Sequence, residues 1–294
     1  MASSFEISSS DNSFQPELSL KSLNSSLRNS GWSSVLPQQF QAIAGSVQGR
    51  ERQRIGVMNQ DTYWIQRSEN SLVAVVCDGC GSRPYSQVGS HLGSRLLGEA
   101  LTQVNSGDID WERLHRQVLD PIRDLAQSLG GDFSETILDY FLFTCLGVVL
   151  TSENALFFAC GDGVFGVNGK VSILDSSPDN APPYLAYALL DPMMPKEFPS
   201  QYAFRILDRI PVSDIDTLWI GTDGVVDFIK VTQELEPEAA FWDNPLFFEH
   251  PKGLQRYLNR LNQDKIQPNW EQQRLVRHKG SLPDDTTLVM IRKA

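Results

Sequence analysis

Val73-Ala74-Val75-Val76-Cys77-Asp78-Gly79 is an apolar, largely β-branched run that ends abruptly in an acidic residue and a glycine. The pattern recurs in Leu156-Phe157-Phe158-Ala159-Cys160-Gly161-Asp162-Gly163 and in Thr217-Leu218-Trp219-Ile220-Gly221-Thr222-Asp223-Gly224. A fourth acidic element, Pro283-Asp284-Asp285-Thr286, directly precedes the apolar run Leu288 to Ile291. Short runs rich in Val, Ile and aromatics, bounded by turn residues, read as buried strands. Taken singly, each Asp-Gly pair reads as a plain turn, because both residues tolerate positive φ. Asp162-Gly163 is the most turn-like, since Val164 to Val167 resumes a strand and Asn168-Gly169 reads as a second hairpin. Asp78 and Asp223 are instead followed by small residues and a helical pattern. Carboxylates delivered at strand ends from four distant places can converge, and there they repel one another unless cations neutralise them. Hard oxygen donors suit Mg²⁺, Mn²⁺ or Ca²⁺ rather than zinc. Four such elements together favour a metal site.

Working outward, alternation predicts a first strand over Phe40 to Val47, followed by a charged loop from Gln48 to Arg54. Beyond Asp78 a helix is expected from about Ser86 to Val104, with Val88, Leu92, Leu96, Ala100 and Val104 on its apolar stripe. Gly89 and Gly93 on a neighbouring line would permit close packing. Further helices are expected over Trp111 to Leu129, Ser134 to Tyr140 and Pro245 to Leu261. Strands fill Phe141 to Leu174, Tyr202 to Leu207, Asp216 to Ile220 and Leu288 to Arg292. The hairpin links argue for antiparallel sheet in an α+β fold, not a doubly wound parallel one. Residues 1–34 are Ser- and Asn-rich and predict a loosely ordered arm. Residues 35–294 form one domain, and the prolines crowded into 178–200 predict a surface flap.

The net charge of −11 disfavours binding to nucleic acid or anionic membrane. No apolar stretch is long enough to span a bilayer and no secretory start is evident, so a cytoplasmic location is expected. The four cysteines, Cys77, Cys80, Cys145 and Cys160, lie in or beside apolar runs and read as buried free thiols. Cys77 and Cys80 spell a CxxC, but no second pair follows to complete a zinc site. The four histidines, His91, His115, His250 and His278, lack ligand spacing and read as surface or structural residues.

In order and spacing, Asn59-Gln60-Asp61, Asp78-Gly79, Gly161-Asp162, Asp223-Gly224 with Asp227, and Asp284-Asp285-Thr286-Thr287 resemble the metal-dependent Ser/Thr protein phosphatases of type 2C, bacterial members especially. The resemblance covers roughly residues 38–293. It implies a four-layer α-β-β-α sandwich of two antiparallel sheets flanked by helix pairs, with Mn²⁺ or Mg²⁺ at one edge. Two ions and a weaker third are implied. Asp78 would bridge two metals with the Gly79 carbonyl on one of them, and Asp223 and Asp284 would hold the other. Asp61 would orient water, and Gln60 stands where many relatives carry an acidic ligand. Asp162, Asp223 and Asp227 match the third-metal set. The implied reaction is hydrolysis of phosphoserine or phosphothreonine in a protein by a metal-bridging hydroxide. A phosphorylated protein substrate and a cognate Ser/Thr kinase are the implied partners.

Three departures bear on that reading. Gln60 removes a charge from the metal set. Cys80 replaces the histidine that often follows Asp-Gly as proton donor, and a thiol of ordinary pKa near 8.5 is a poor substitute. Gly56 stands where the family commonly has a phosphate-binding arginine. Arg54, two residues back and roughly 6.5 Å along an extended strand, is the replacement expected, with Arg52 continuing that line; a solvated basic loop is the equal alternative for these arginines. A pseudophosphatase that only binds partners, and a hydrolase of small phosphomonoesters, are the alternative functions.

Overall fold

The computed structural model describes residues 39–103, 109–174, 182–190, 202–235, 241–242 and 244–294. The N-terminal arm and most of the Pro-rich segment lie outside the described residues. Twelve strands are described. One sheet runs β1 (Phe40–Val47), β12 (Thr286–Lys293), β9 (Thr217–Gly221), β6 (Gly163–Val167), β7 (Lys170–Leu174). The second runs β2 (Asp61–Arg67), β3 (Leu72–Gly79), β4 (Phe143–Leu150), β5 (Asn154–Cys160), β8 (Arg205–Pro211). Neighbouring strands in both are antiparallel. A separate two-stranded ribbon pairs β10 (Lys265–Asn269) with β11 (Arg274–His278).

The two sheets face each other, and strand periodicity decides what lies between them. In β3, Leu72, Ala74 and Val76 enter the core between the sheets, where they meet Leu218 and Ile220 of β9 and Val289 and Ile291 of β12. Val73, Val75 and Cys77 face the other way, onto α2 (Ser86–Thr102), α3 (Trp111–Leu129) and α4 (Phe133–Tyr140). Outside the first sheet, Trp219 and Met290 pack on Phe228 of α5 (Val225–Leu235), Phe247 of α6 (Leu246–Glu249) and Leu254 and Leu258 of α7 (Gly253–Asn262). Trp219 and Trp242 stack with ring centroids 4.1 Å apart. Burying each such large side chain contributes about 1.5–3 kcal/mol. The result is the expected α-β-β-α sandwich.

Several local expectations change. Gln48 to Arg54 is not an extended loop: Arg50–Ile55 forms a short helix, α1, ended by Gly56 at φ 72°. Asp162 does not close a hairpin. It sits where the chain leaves β5 in one sheet and enters β6 in the other, between Gly161 (φ 102°) and Gly163 (φ 141°). Residues with a Cβ rarely adopt that backbone, so the glycines make the crossing possible. Asn168-Gly169 is the expected tight turn, both with positive φ.

Helix α2 buries Gly89, Gly93, Leu97, Gly98 and Leu101 more deeply than the stripe through Val88, Leu92, Leu96 and Ala100. Added Cβ atoms would strike the Phe143 ring at Gly93 and the Trp64 indole at Gly98. Closeness, not side-chain apolarity, selects that face. Pro182–Leu190, part of the expected flap, is not a surface segment: Leu185, Ala186 and Ala188 are fully buried under α3 and α4.

Candidate active site

Asp61 and Asp78 stand directly opposite each other in the β2–β3 register, with Thr144 of β4 beside Asp78. Asp78 has the parity of Leu72, Ala74 and Val76, so it continues the row that faces the opposite sheet. Thr222, just past β9, has the parity of Leu218 and Ile220 and comes from that opposite sheet. Its hydroxyl donates to Asp61 Oδ2 at 2.6 Å and accepts from the Thr287 backbone N–H at 3.0 Å. The two sheets are thereby tied at the edge where the acidic elements emerge. A cleft of roughly 250 Å³ opens there, lined by Asp78, Asp223, Asp284, Cys80, Tyr184 and Arg52, with the Gly79 backbone among them.

Like charges placed opposite one another are destabilising, and burial compounds the cost. Burial pushes the Asp61 carboxyl well above its ordinary range, with Asp285 and Asp223 adding to the rise. Burial also raises Asp78, reinforced by Asp61 and Asp223. Asp223 is pushed up to about 6 by burial and by Asp162 and Asp284, and burial raises Asp162 as well. Asp61 Oδ1 and Gln60 Oε1 are buried with no hydrogen-bond partner. Oxygen acceptors without donors, beside carboxylates that need neutralising, are the donor chemistry of a hard divalent cation. Among the described residues, no group of three His, Cys, Asp or Glu side chains is gathered tightly enough to hold an ion as it stands.

Other expected site residues fall in different places. Asp227 lies in the first turn of α5 and pairs with Lys230 at 2.9 Å, outside the lining of the cleft. Arg54 also stays outside it. In a helix, side chains two positions apart point roughly 200° from one another. Arg52 therefore enters the cleft, 3.6 Å from Asp284 and donating to the Gly81 carbonyl at 2.7 Å, while Arg54 lines a cavity on the other side of α1. The expectation of Arg54 rested on an extended strand, and the helix replaces it with Arg52.

Asp285 carries a role that its motif did not reveal. Its two oxygens accept from the backbone N–H groups of Gly49 at 2.6 Å and Gln60 at 2.7 Å. Arg50 N and Glu51 N bond the carbonyls of Leu282 and Pro283. Asp285 thus clamps the start of α1, and with it Arg52, to the segment bearing Asp284. A buried carboxylate accepting two backbone donors is visible only in tertiary structure.

Residues 48–277 match the sequence profile of Protein phosphatase 2C. The chain belongs to that family. Comparison with curated protein sequences gave no match. Among solved structures, the Ser/Thr phosphatase Stp1 from Staphylococcus aureus superposes with a TM-score of 0.54 at 14% identity, covering 86% of this chain and 94% of that one. A bacterial serine phosphatase gives a TM-score of 0.52 at 14% identity, covering 87% and 98%. A singly substituted form of a bacterial serine phosphatase gives 0.55, also at 14% identity, over 87% and 98%. At such identity these likenesses bear on the fold, and they match the sandwich of this type 2C phosphatase relative. Among its described residues, no helix is long and apolar enough to cross a membrane.

Proposed function

We propose that the protein hydrolyses phosphoserine or phosphothreonine in protein substrates with the help of Mn²⁺ or Mg²⁺. The observation that carries the reading is the opposition of Asp61 and Asp78 across β2 and β3, with Asp223 and Asp284 lining the same cleft. Asp78, Asp223, Asp284 and the Gly79 carbonyl would hold two ions. Asp162, Asp223 and Asp227 would supply a weaker third site, Asp227 on giving up its contact with Lys230. Divalent cations bound there would neutralise the carboxylates and make a water acidic enough to attack phosphorus.

The chain's own residues supply the rest. Asp61, held by Thr222, presents its unpaired Oδ1 as an acceptor that can orient a water and take its proton. Arg52 offers a guanidinium fork at the cleft, suited to two oxygens of a phosphoryl group. To accept one it exchanges the long contact to Asp284 for phosphate while keeping its bond to Gly81. Cys80 lies in the cleft with its thiol 3.3 Å from the Ser82 hydroxyl. No side-chain nucleophile is required, since phosphoryl transfer depends chiefly on positioning and charge neutralisation. A kinase partner and a cytoplasmic setting belong to the same proposal.

The test is hydrolysis of p-nitrophenyl phosphate and of a phosphothreonine peptide by chelated protein, with Mn²⁺ or Mg²⁺ restored. Metal-dependent turnover of both, lost in Asp78→Ala, is expected. Folded protein inert with either metal would overturn the reading in favour of a pseudophosphatase. Turnover of the small ester alone would favour a small phosphomonoester hydrolase.

A further inference from the structure

The other side of α1 is as cationic as the cleft is anionic. A cavity of roughly 880 Å³ lies there, between α1, α7 and the end of the β10–β11 ribbon. Arg50, Arg54, Arg277 and Lys279 line it, against two acids, Glu51 and Asp264. Asp264 is already engaged: it accepts from Arg277 Nε at 2.6 Å and from the Gly280 N–H at 2.9 Å. Arg50 donates to the Gly280 carbonyl at 3.2 Å. Among the described residues, the side chains of Arg54 and Lys279 have no hydrogen-bond or ion-pair partner. A basic hollow stands out in a chain of net charge −11.

The ribbon register extends this site in one direction. Ile266 pairs with Arg277, and Pro268 with Leu275. Directly opposed residues share a face, as do residues two apart, so Ile266, Pro268 and Leu275 continue the face of Arg277. Ile266 is 64% and Leu275 71% exposed. An isolated two-stranded ribbon has little stability to spare for exposed apolar residues, which makes the patch informative. A small anion would use the cavity and leave the ribbon bare. A peptide that carries acidic residues followed by an apolar one fills both.

We propose that this surface docks an acidic segment of the phosphoprotein substrate, with an adjoining apolar residue on the ribbon; this rests on the function proposed above. The target phosphoresidue lies in the cleft and the acidic segment in the cavity, and α1 separates them. A helix is about 10–12 Å across with its side chains. An extended chain covers that in three or four residues at ~3.3 Å each, which sets the spacing between phosphoresidue and acidic residues.

Fluorescence anisotropy of the full chain with a labelled, phosphate-free peptide holding four acidic residues and a terminal Leu-Phe tests the docking without catalysis. Arg54→Glu with Lys279→Glu is expected to weaken binding about tenfold or more, and added salt to weaken it in the wild type. Leu275→Ser should weaken it several-fold while sparing folding, as its side chain is exposed. Equal affinity in the charge-reversed protein, no binding by the wild type, or inorganic phosphate displacing the peptide equally well in wild type and Leu275→Ser would overturn the proposal. Turnover of p-nitrophenyl phosphate by the wild type, followed in parallel, reports on the phosphatase reading by itself.

Discussion

His115 and the Asp61–Asp78 pair are both titratable groups that the fold has buried, and they meet that burial in opposite ways. On α3, His115 rests its edge on Phe204 and places Nε2 3.1 Å from the Tyr202 carbonyl. Burial lowers its pKa to about 4, so near neutral pH it has already shed its charge. At the sheet edge the carboxylates become charged as the pH rises, and they do so facing one another. The buried histidine grows less charged as the pH rises and needs no counter-ion. The buried carboxylates grow more charged together, which makes their edge a place prepared for something of opposite sign.

The sharpest way to break this contrast is Asp78→Ala. Turnover with restored metal should fall by about a thousandfold or more, by analogy with other losses of charge-stabilising groups. Near-normal kcat would remove the cleft from the chemistry altogether.

The histidine side has its own signature. The unfolded chain binds a proton as pH drops below 6.5, whereas the folded chain resists until about 4. The unfolded state then holds more protons, so stability is lost as pH falls across that window. The loss is on the order of 3 kcal/mol in all. Urea midpoints at pH 4 to 7 should show a slope that flattens in His115→Gln; an unchanged slope would mean His115 is not its source.

The converse holds in the cleft. Asp78→Asn removes one of the opposed charges while keeping the shape. It should stabilise the metal-free protein by about 1–2 kcal/mol at pH 8, within the range of single substitutions, while remaining inactive. A less stable variant would mean that the repulsion is already relieved without metal.

Smaller effects refine the picture. Arg52→Ala should raise KM for p-nitrophenyl phosphate roughly tenfold with a lesser change in kcat, the mark of ground-state phosphate binding. Arg54→Ala should leave both within about twofold. Reversal of that order would restore the strand geometry over the helix. Cys80→Ser is expected to change kcat by only a few-fold, and a larger loss would give the thiol a chemical role.

Much of the sandwich was legible because its strands are apolar runs with abrupt ends. Phe40–Val47 and Trp111–Leu129 appear with the bounds that periodicity implies. The acidic elements were legible as strand ends for the same reason, although where Asp61 stands relative to Asp78 is a matter of register. What escaped detection depends on context. The β10–β11 ribbon is largely exposed and contains Pro268, so it lacks the alternation that marks a half-buried strand. The six residues of α1 are too few for periodicity; Gly56, a glycine just past the end, was the available stop signal. Missing that helix exchanged Arg52 for Arg54. The deep face of α2 was misplaced because pattern reading ranks residues by apolarity, while contact with Phe143 and Trp64 demanded small ones.

The pairing of Phe40 with Lys293 carries one more consequence, for how the protein comes into being. Synthesis runs from the first strand to the last, and domains form as their parts emerge. β1 must wait for some 250 intervening residues before its partner exists, a large loop to close. Until β12 arrives, β1 lacks the strand it pairs with among the described residues, and the segment bearing Asp284 and Asp285 is missing from both the cleft and the clamp on α1. A nascent chain that lacks β12 therefore has no finished cleft, and the proposed activity would begin only once that strand is in place.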